Sequence, residues 1–362
     1  NNFSHTRKSR VFRISGARFF LKEGVSTEMN ANLKDVRKLQ PVVMKQLQTV
    51  FQKNRVAHAY LFEGAKGTGK VAVMRSFVKL LLCEQPIQNV SCETCRGCRR
   101  FESGNHPNFI QIEPDGQDIK KDQMLQLIFE MNKTALEAGR KIYVLHRADR
   151  LNASAANTLL KFLEEPEGLV TAILLTEKAH AILPTIRSRS QIISFPSIPY
   201  DERVKILLDE GLTASMAATV SMITNDLEES LRLAKDEQFA QVRKTVLKLV
   251  EAVETNVHEA MLSVHEDWLP LLKEKEETEQ ALDLLLFAYR DLVAVKANSN
   301  ATYTYPDFLR FYQERALHIS FEHLSNKIEA ILKSKQQLHR NMNRTLLMEQ
   351  LMLNLQGGYS FV

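Results

Sequence analysis

The chain holds four cysteines, and all of them fall within sixteen residues, Cys83, Cys92, Cys95 and Cys98, spaced C-x8-C-x2-C-x2-C. A tetrahedral zinc ion needs four thiolates about 2.3 Å from one point, and a C-x2-C-x2-C run that turns back on itself delivers three of them. The fourth, Cys83, arrives at the end of an apolar segment of helical character, Phe77-Val78-Lys79-Leu80-Leu81-Leu82. A disulfide framework belongs to exported chains, and neither an apolar signal segment nor a run long enough to span a bilayer is legible here. Structural zinc is therefore preferred over scattered thiols or a redox pair. With four protein ligands the site is closed to water, so the ion is expected to hold structure and not to catalyse.

The 362 residues are 44% hydrophobic and 25% charged, enough for two or three domains with real cores, expected in the cytoplasm with no membrane partner. The net charge of +5 invites a nucleic-acid reading. Residues 1–28, however, hold Arg7, Lys8, Arg10, Arg13, Arg18 and Lys22 against Glu23 and Glu28, which places +4 there and leaves +1 for the rest. Any contact with DNA must then come from local patches. The segment 1–28 precedes Met29, from which the sequence reads as an ordinary domain, and it is expected to be an extension outside that domain. A targeting peptide or a basic arm is the alternative.

Between residues 59 and 195, β-rich runs alternate with helical periodicity: Ala59–Phe62, Phe109–Ile112, Ile142–Leu145, Thr171–Leu175 and Gln191–Phe195. Strands spaced in this way, each followed by a helix, predict an α/β fold with a mostly parallel sheet covered on both faces. One helix can be read closely, with Asn152 as cap, Ala156, Leu159, Leu160 and Leu163 on the apolar face, and Pro166 as its stop. Beyond Pro196 and Pro199 the β signal disappears. Residues 200–237 predict a few short helices, and 238–356 read as helical throughout, with solvated charge runs such as Lys273–Glu277 and an end to the ordered chain near Gly357-Gly358.

The segment Gly64-Ala65-Lys66-Gly67-Thr68-Gly69-Lys70-Val71 follows the first strand and precedes a helix. There backbone N–H groups and a helix N-terminus face an anion, and the G-x4-G-K pattern of a phosphate loop is complete. The next position should supply a hydroxyl to magnesium, but Val71 has no oxygen to offer. The acidic pair expected after a later strand is replaced as well, since Ile142–Leu145 runs into His146-Arg147-Ala148-Asp149. Two parts of one metal site have failed together, which predicts a loop kept as scaffold, with at most weak phosphate binding at Gly64, Gly67, Gly69 and Lys70.

The degenerate loop, the four-cysteine insertion after its helix, the run Asn157-Thr158-Leu159-Leu160-Lys161-Phe162-Leu163-Glu164-Glu165-Pro166, the segment Arg187-Ser188-Arg189-Ser190 and a closing Asn341–Leu351 helix resemble the bacterial clamp loader family of AAA+ ATPases. The resemblance runs from about Leu33 to Leu355. It implies an AAA+ domain carrying the zinc module (29–197), a helical lid (198–237) and a helical collar (238–362) that joins a ring of five related subunits. It implies gamma or tau and delta subunits as partners, with the sliding clamp and primed DNA engaged through the complex. It also implies that Arg189, in the position of the family's Ser-Arg-Cys motif with Ser190 in place of cysteine, is an arginine finger acting in trans. Glu228 falls where active relatives carry a phosphate-sensing arginine, Arg232 lies one turn on, and Thr176 stands at a polar sensor position.

The chain is thus expected to be a non-hydrolysing accessory subunit of a DNA-directed DNA polymerase holoenzyme, the stator of its clamp loader. One alternative is an ATP-hydrolysing motor subunit of gamma or tau type. Another is a zinc-dependent nucleic-acid binding module, motivated by the cysteines and the net charge. Leu159, Leu160 and Leu163 are expected in the core, His58 and His106 in turns or at the surface, and Lys161 in solvent.

Overall fold

The computed structural model describes residues 39–132, 139–165, 168–299, 301–340 and 342–356. The expectations for 1–28, for Pro166, for Asn341 and for Gly357-Gly358 lie outside the described residues.

Five parallel strands, β1 (Ala59–Glu63), β2 (Phe109–Ile112), β3 (Lys141–Leu145), β4 (Val170–Thr176) and β5 (Gln191–Ser194), form one sheet in the order β2-β3-β4-β1-β5. Central strands of a parallel sheet are covered on both faces and read as continuous apolar runs, and every residue of β4 is buried. Alternate residues of each strand feed separate cores. Leu61, Tyr143, Leu145, Ala172 and Leu174 pack with α4 (Lys121–Asn132) and α5 (Ala153–Glu164) on one face. Tyr60, Phe62, Ile142, Val144, Ile173 and Leu175 pack with α1 (Pro41–Gln52) and α2 (Lys70–Leu81) on the other. A short helix, α3 (Arg96–Glu102), lies inside the cysteine segment, and α6 (Pro184–Ser188) precedes β5. The predicted strands are all present, displaced by no more than a residue at either end.

Asn152 caps α5, its Oδ1 accepting from Ala155 N at 2.8 Å, which satisfies one of the helix's free amides. Leu159 and Leu163 are buried as expected, whereas Leu160 is half-buried.

Past the sheet come α7 (Tyr200–Asp209), α8 (Ala214–Ile223), α9 (Leu227–Lys235), α10 (Glu237–Thr255), α11 (Val257–Ser263), α12 (Lys275–Lys296), α13 (Leu309–Ala316), α14 (Phe321–His339) and α15 (Arg344–Leu355). One apolar core runs from Ile198 to Leu355 through these helices. Helical periodicity over 238–356 is interrupted at several points, two of them distinctive: α11 passes into a π-helical turn, Val264–Trp268, and the described residues between Ala297 and Tyr305 form no helix. The second break is held by polar groups. The buried Asp291 carboxylate accepts from Thr304 N at 2.6 Å and Tyr305 N at 2.9 Å, while Thr219 Oγ1 of α8 donates to Thr304 O at 2.9 Å. Arg243 joins Thr219 to Asp307.

A second buried charge centre ties α10, α13 and α14 together. Glu254 of α10 accepts from Arg315 at 2.7 Å, Lys327 at 2.6 Å and the Tyr289 hydroxyl at 3.1 Å. Burial works to raise its carboxyl pKa, but the adjoining Lys327 and Arg315 outweigh burial and hold it below the ordinary value. A carboxyl depressed on folding contributes stability that is complete above its unfolded pKa and lost as the pH falls through the folded one. Glu254→Ala leaves two cations facing each other and is expected to cost about 3–5 kcal/mol. Urea unfolding followed by the fluorescence of Trp268, the chain's one tryptophan and fully buried in this core, measures that loss. The difference between wild type and variant should narrow in acid.

Candidate phosphate-loop cavity and metal centre

A cavity of about 850 Å³ opens where the carboxyl ends of β1, β3 and β4 meet the first turn of α2. Ligands in open parallel sheets bind at this edge, where the direction of the crossovers reverses, as it does here on either side of β1. The loop, with Gly67, Gly69 and Lys70, lines the cavity together with Val71, His146, Arg147, Thr176 and Glu228. Gly64 lies just before them, against Phe195 O.

The three positions where the loop hydroxyl and the acidic pair were expected are thus brought to one cavity, and none carries a side-chain oxygen. Val71 is partly exposed to the cavity. His146 Nε2 lies 3.1 Å from Gln111 Oε1, and burial pushes its imidazole pKa down. Arg147 has a left-handed backbone, φ 52°, at the turn after β3. Of the carboxylates near Lys70, Asp149 accepts from Thr176 Oγ1 at 3.0 Å, Asp226 caps α9 and lies 3.7 Å from Lys66, and Glu177 lines the cavity. Sequence reasoning did not foresee the Asp149–Thr176 bond, which joins residues 27 apart through adjacent strands.

Lys70 itself is committed to its own loop. Its Nζ donates to Gly64 O at 2.7 Å and Ala65 O at 2.6 Å, and burial lowers its pKa against the field of Glu177, Asp226 and Asp149. The loop apex rests on the start of α9. Gly67 has φ +79°, and a Cβ there would stand 2.5 Å from Asn225 O and Asp226 Cα, so only glycine fits. Gln40, also not foreseen, donates to Thr68 O at 3.0 Å and to Pro196 O at 2.8 Å and joins the loop to the segment that leaves the sheet. Glu228 faces the cavity, its pKa raised by burial and by Asp226, whereas Arg232 points to solvent and pairs with Glu229 at 2.5 Å.

Arg189 is elsewhere. It follows α6, lines no part of this cavity, donates from Nη1 to Thr185 O at 3.0 Å, and forms an ion pair through Nη2 with Glu164 Oε1 at 2.8 Å. Its guanidinium therefore lies outside the loop cavity.

The cysteines converge. The sulfur atoms of Cys83, Cys92, Cys95 and Cys98 all lie within 4.8 Å of one another, and Cys83 and Cys95 are 4.0 Å apart. A zinc tetrahedron has edges of about 3.8 Å, so the set fits a closed site. Successive backbone amides support it, Cys92 N donating to Cys83 Sγ at 3.3 Å, Cys95 N to Cys92 Sγ at 3.3 Å and Cys98 N to Cys95 Sγ at 3.4 Å. The Cys95 and Thr94 amides draw the Cys92 thiol down to about 6, while burial and the neighbouring sulfurs push Cys98 up. Gly97 lies against Leu82 O too closely for any side chain, and this contact folds α3 back onto the end of α2. The module is fastened to α2 by Lys79, which pairs with Glu93 and Glu102. His58 is exposed and His106 is buried in a turn, its Nδ1 accepting from Asn108 N at 3.2 Å; neither joins the cysteines. Lys161 is exposed, as expected. Among the described residues no helix is long and apolar enough to cross a membrane.

A parallel sheet with a phosphate loop at its carboxyl edge, followed by an all-helical region, defines a P-loop protein of the AAA+ class. Residues 39–199 match a family model described as DNA polymerase III, delta subunit, and 237–357 one described as its C-terminal part. The chain is 38% identical to DNA polymerase III subunit delta' of Bacillus subtilis over 91% of its length and all of that protein. It is 28% identical to the subunit of the same name from Escherichia coli, over 86% of this chain and 92% of that one. A solved DNA polymerase III gamma subunit-related protein from Thermotoga maritima is a more distant likeness, 16% identical with a TM-score of 0.42, covering 87% of this chain and 98% of that one. The chain belongs to the family of DNA polymerase III delta-prime subunits, components of the clamp loader.

Purified protein is expected to carry one zinc ion per chain, measured by metal analysis. Cys98→Ser should abolish that stoichiometry and speed amide exchange across residues 83–102.

Proposed function

We propose that this chain acts as the non-hydrolysing stator of the DNA polymerase III clamp loader: it braces the ring, completes an ATP site on a neighbouring subunit with Arg189, and helps to place the sliding clamp on primed DNA. It then counts as an accessory subunit of the DNA-directed DNA polymerase holoenzyme, with no turnover of its own, working in the cytoplasm. Its partners are gamma or tau and delta subunits in a hetero-pentamer.

One observation carries this reading: Val71, His146 and Arg147 meet in a single cavity where magnesium would have to be gripped. ATP cleavage in P-loop enzymes depends on a metal held by the loop hydroxyl and a strand-end carboxylate. A hydrocarbon, an imidazole and a guanidinium supply neither. A gamma or tau type motor would need both, which weighs against that alternative. The zinc-module reading is weakened because the sheet, the loop and the helical region all have places in the clamp loader scheme that a metal-stabilised DNA binder would not need.

The division of the chain into an AAA+ domain (29–197), a lid (198–237) and a collar (238–362) is part of this proposal. The boundary near 198 is supported by the two cores on the sheet faces and by a further core that takes in residues from Ile198 to Leu355 together with Leu39. The zinc ion is structural, its four ligands leaving no position for substrate. The loop residues Gly64, Gly67, Gly69 and Lys70 are a vestigial phosphate cradle, closed on themselves and on α9.

Calorimetric titration with ATP tests the reading. Magnesium should not increase the affinity, and the solitary chain should release no phosphate. The triple variant Val71→Thr, His146→Asp, Arg147→Glu should acquire magnesium-dependent binding. Magnesium-dependent binding and turnover by the wild-type chain would refute the proposal.

A further inference from the structure

The role proposed for Arg189 depends on how its guanidinium is aimed, and the side chain that aims it is Glu164. Glu164 is the last residue of α5, a helix fixed by its Asn152 cap and by the burial of Leu159, Phe162 and Leu163 against the sheet. Its Oε1 pairs with Nη2 of Arg189 at 2.8 Å while Thr185 O accepts from Nη1 at 3.0 Å, so one edge of the guanidinium is held from two elements, α5 and α6.

Arginine has five N–H donors in a planar fork. One hydrogen bond and one ion pair engage it here, and the side chain remains 37% exposed, so donors are left over for a ligand arriving from solvent. A long side chain must give up rotamer freedom to meet a phosphate, and one already held along an edge has given it up beforehand. Folding stability does not explain the pair. Both partners are more than a third exposed, and ion pairs of that kind add little.

We propose that Glu164 is a positioning residue: it holds Arg189 in the orientation in which the free edge of its guanidinium meets the terminal phosphate of a nucleotide bound to the neighbouring subunit. This inference rests on the reading of Arg189 as a finger acting in trans. Glu164 touches no substrate and works only through Arg189.

The test uses the full clamp loader reconstituted with wild type, Glu164→Gln, Glu164→Asp, Arg189→Ala and the double variant Glu164→Gln/Arg189→Ala, with DNA-stimulated ATP turnover measured against ATP concentration. Glu164→Gln keeps the shape of the side chain and removes its charge. It should lower kcat roughly tenfold at an unchanged KM, Glu164→Asp should recover part of the loss, and the double variant should be no slower than Arg189→Ala alone. If Arg189→Ala is slow and Glu164→Gln is not, the inference falls and the finger stands. Losses that add in the double variant would place the effect of Glu164 elsewhere and also overturn it. If Arg189→Ala turns over normally, the finger reading fails and this inference fails with it.

Discussion

A divalent cation that bridges two phosphates is held by hard oxygen ligands, and the position of those oxygens decides whether a phosphate loop can be an enzyme. In this chain the cradle survives without them. The loop closes on β1, Gly67 keeps its left-handed turn, and Lys70 is in place. The positions for metal hold Val71, His146 and Arg147 instead. The loop is closed against its own protein: Lys70 bonds Gly64 and Ala65, Gln40 bonds Thr68, and the apex rests on Asn225 and Asp226.

Those contacts bear on rigidity as well as chemistry. Gln40 links the loop to Pro196, where the chain leaves the sheet, and Lys66 reaches Asp226 at the start of α9. On the far side, Thr219 and Arg243 bind α8 to the segment around Thr304 and Asp307. Sheet, short helices and long helices are thus stitched together at both junctions by polar bonds, most of them buried or half-buried, which suits a subunit whose proposed part is to brace others. The zinc module belongs to the same pattern, since Lys79 carries its attachment onto the helix that begins at the loop.

Much of this was legible in the sequence because it depends on local order. Strand runs, the Asn152 cap, the cysteine spacing and the loss of the loop hydroxyl are properties of neighbours along the chain. What escaped notice depends on the tertiary fold. Glu164 and Arg189 are 25 residues apart, and nothing in either segment marks one as the partner of the other. The same holds for Asp149 with Thr176, and for Gln40, a residue of no motif whose amide spans two carbonyls far apart in sequence. The break in helix before Tyr305 was missed because periodicity registers apolar faces and not the Asp291 carboxylate that captures two backbone amides. Leu160 carries the apolar pattern yet stays half-buried, since the inner face of α5 is already filled by Leu159, Phe162 and Leu163.

Under the proposed function the chain's own cavity is vestigial and its arginine serves a neighbour, which separates two mutations that would be equivalent in an ordinary ATPase. The most direct measurement is ATP turnover by an assembled clamp loader in which only this subunit carries Lys70→Ala. Turnover equal to wild type is the expected result, because no phosphate at this loop is being cleaved. A large loss, with assembly intact, would mean that the loop takes part in hydrolysis and would contradict the central claim.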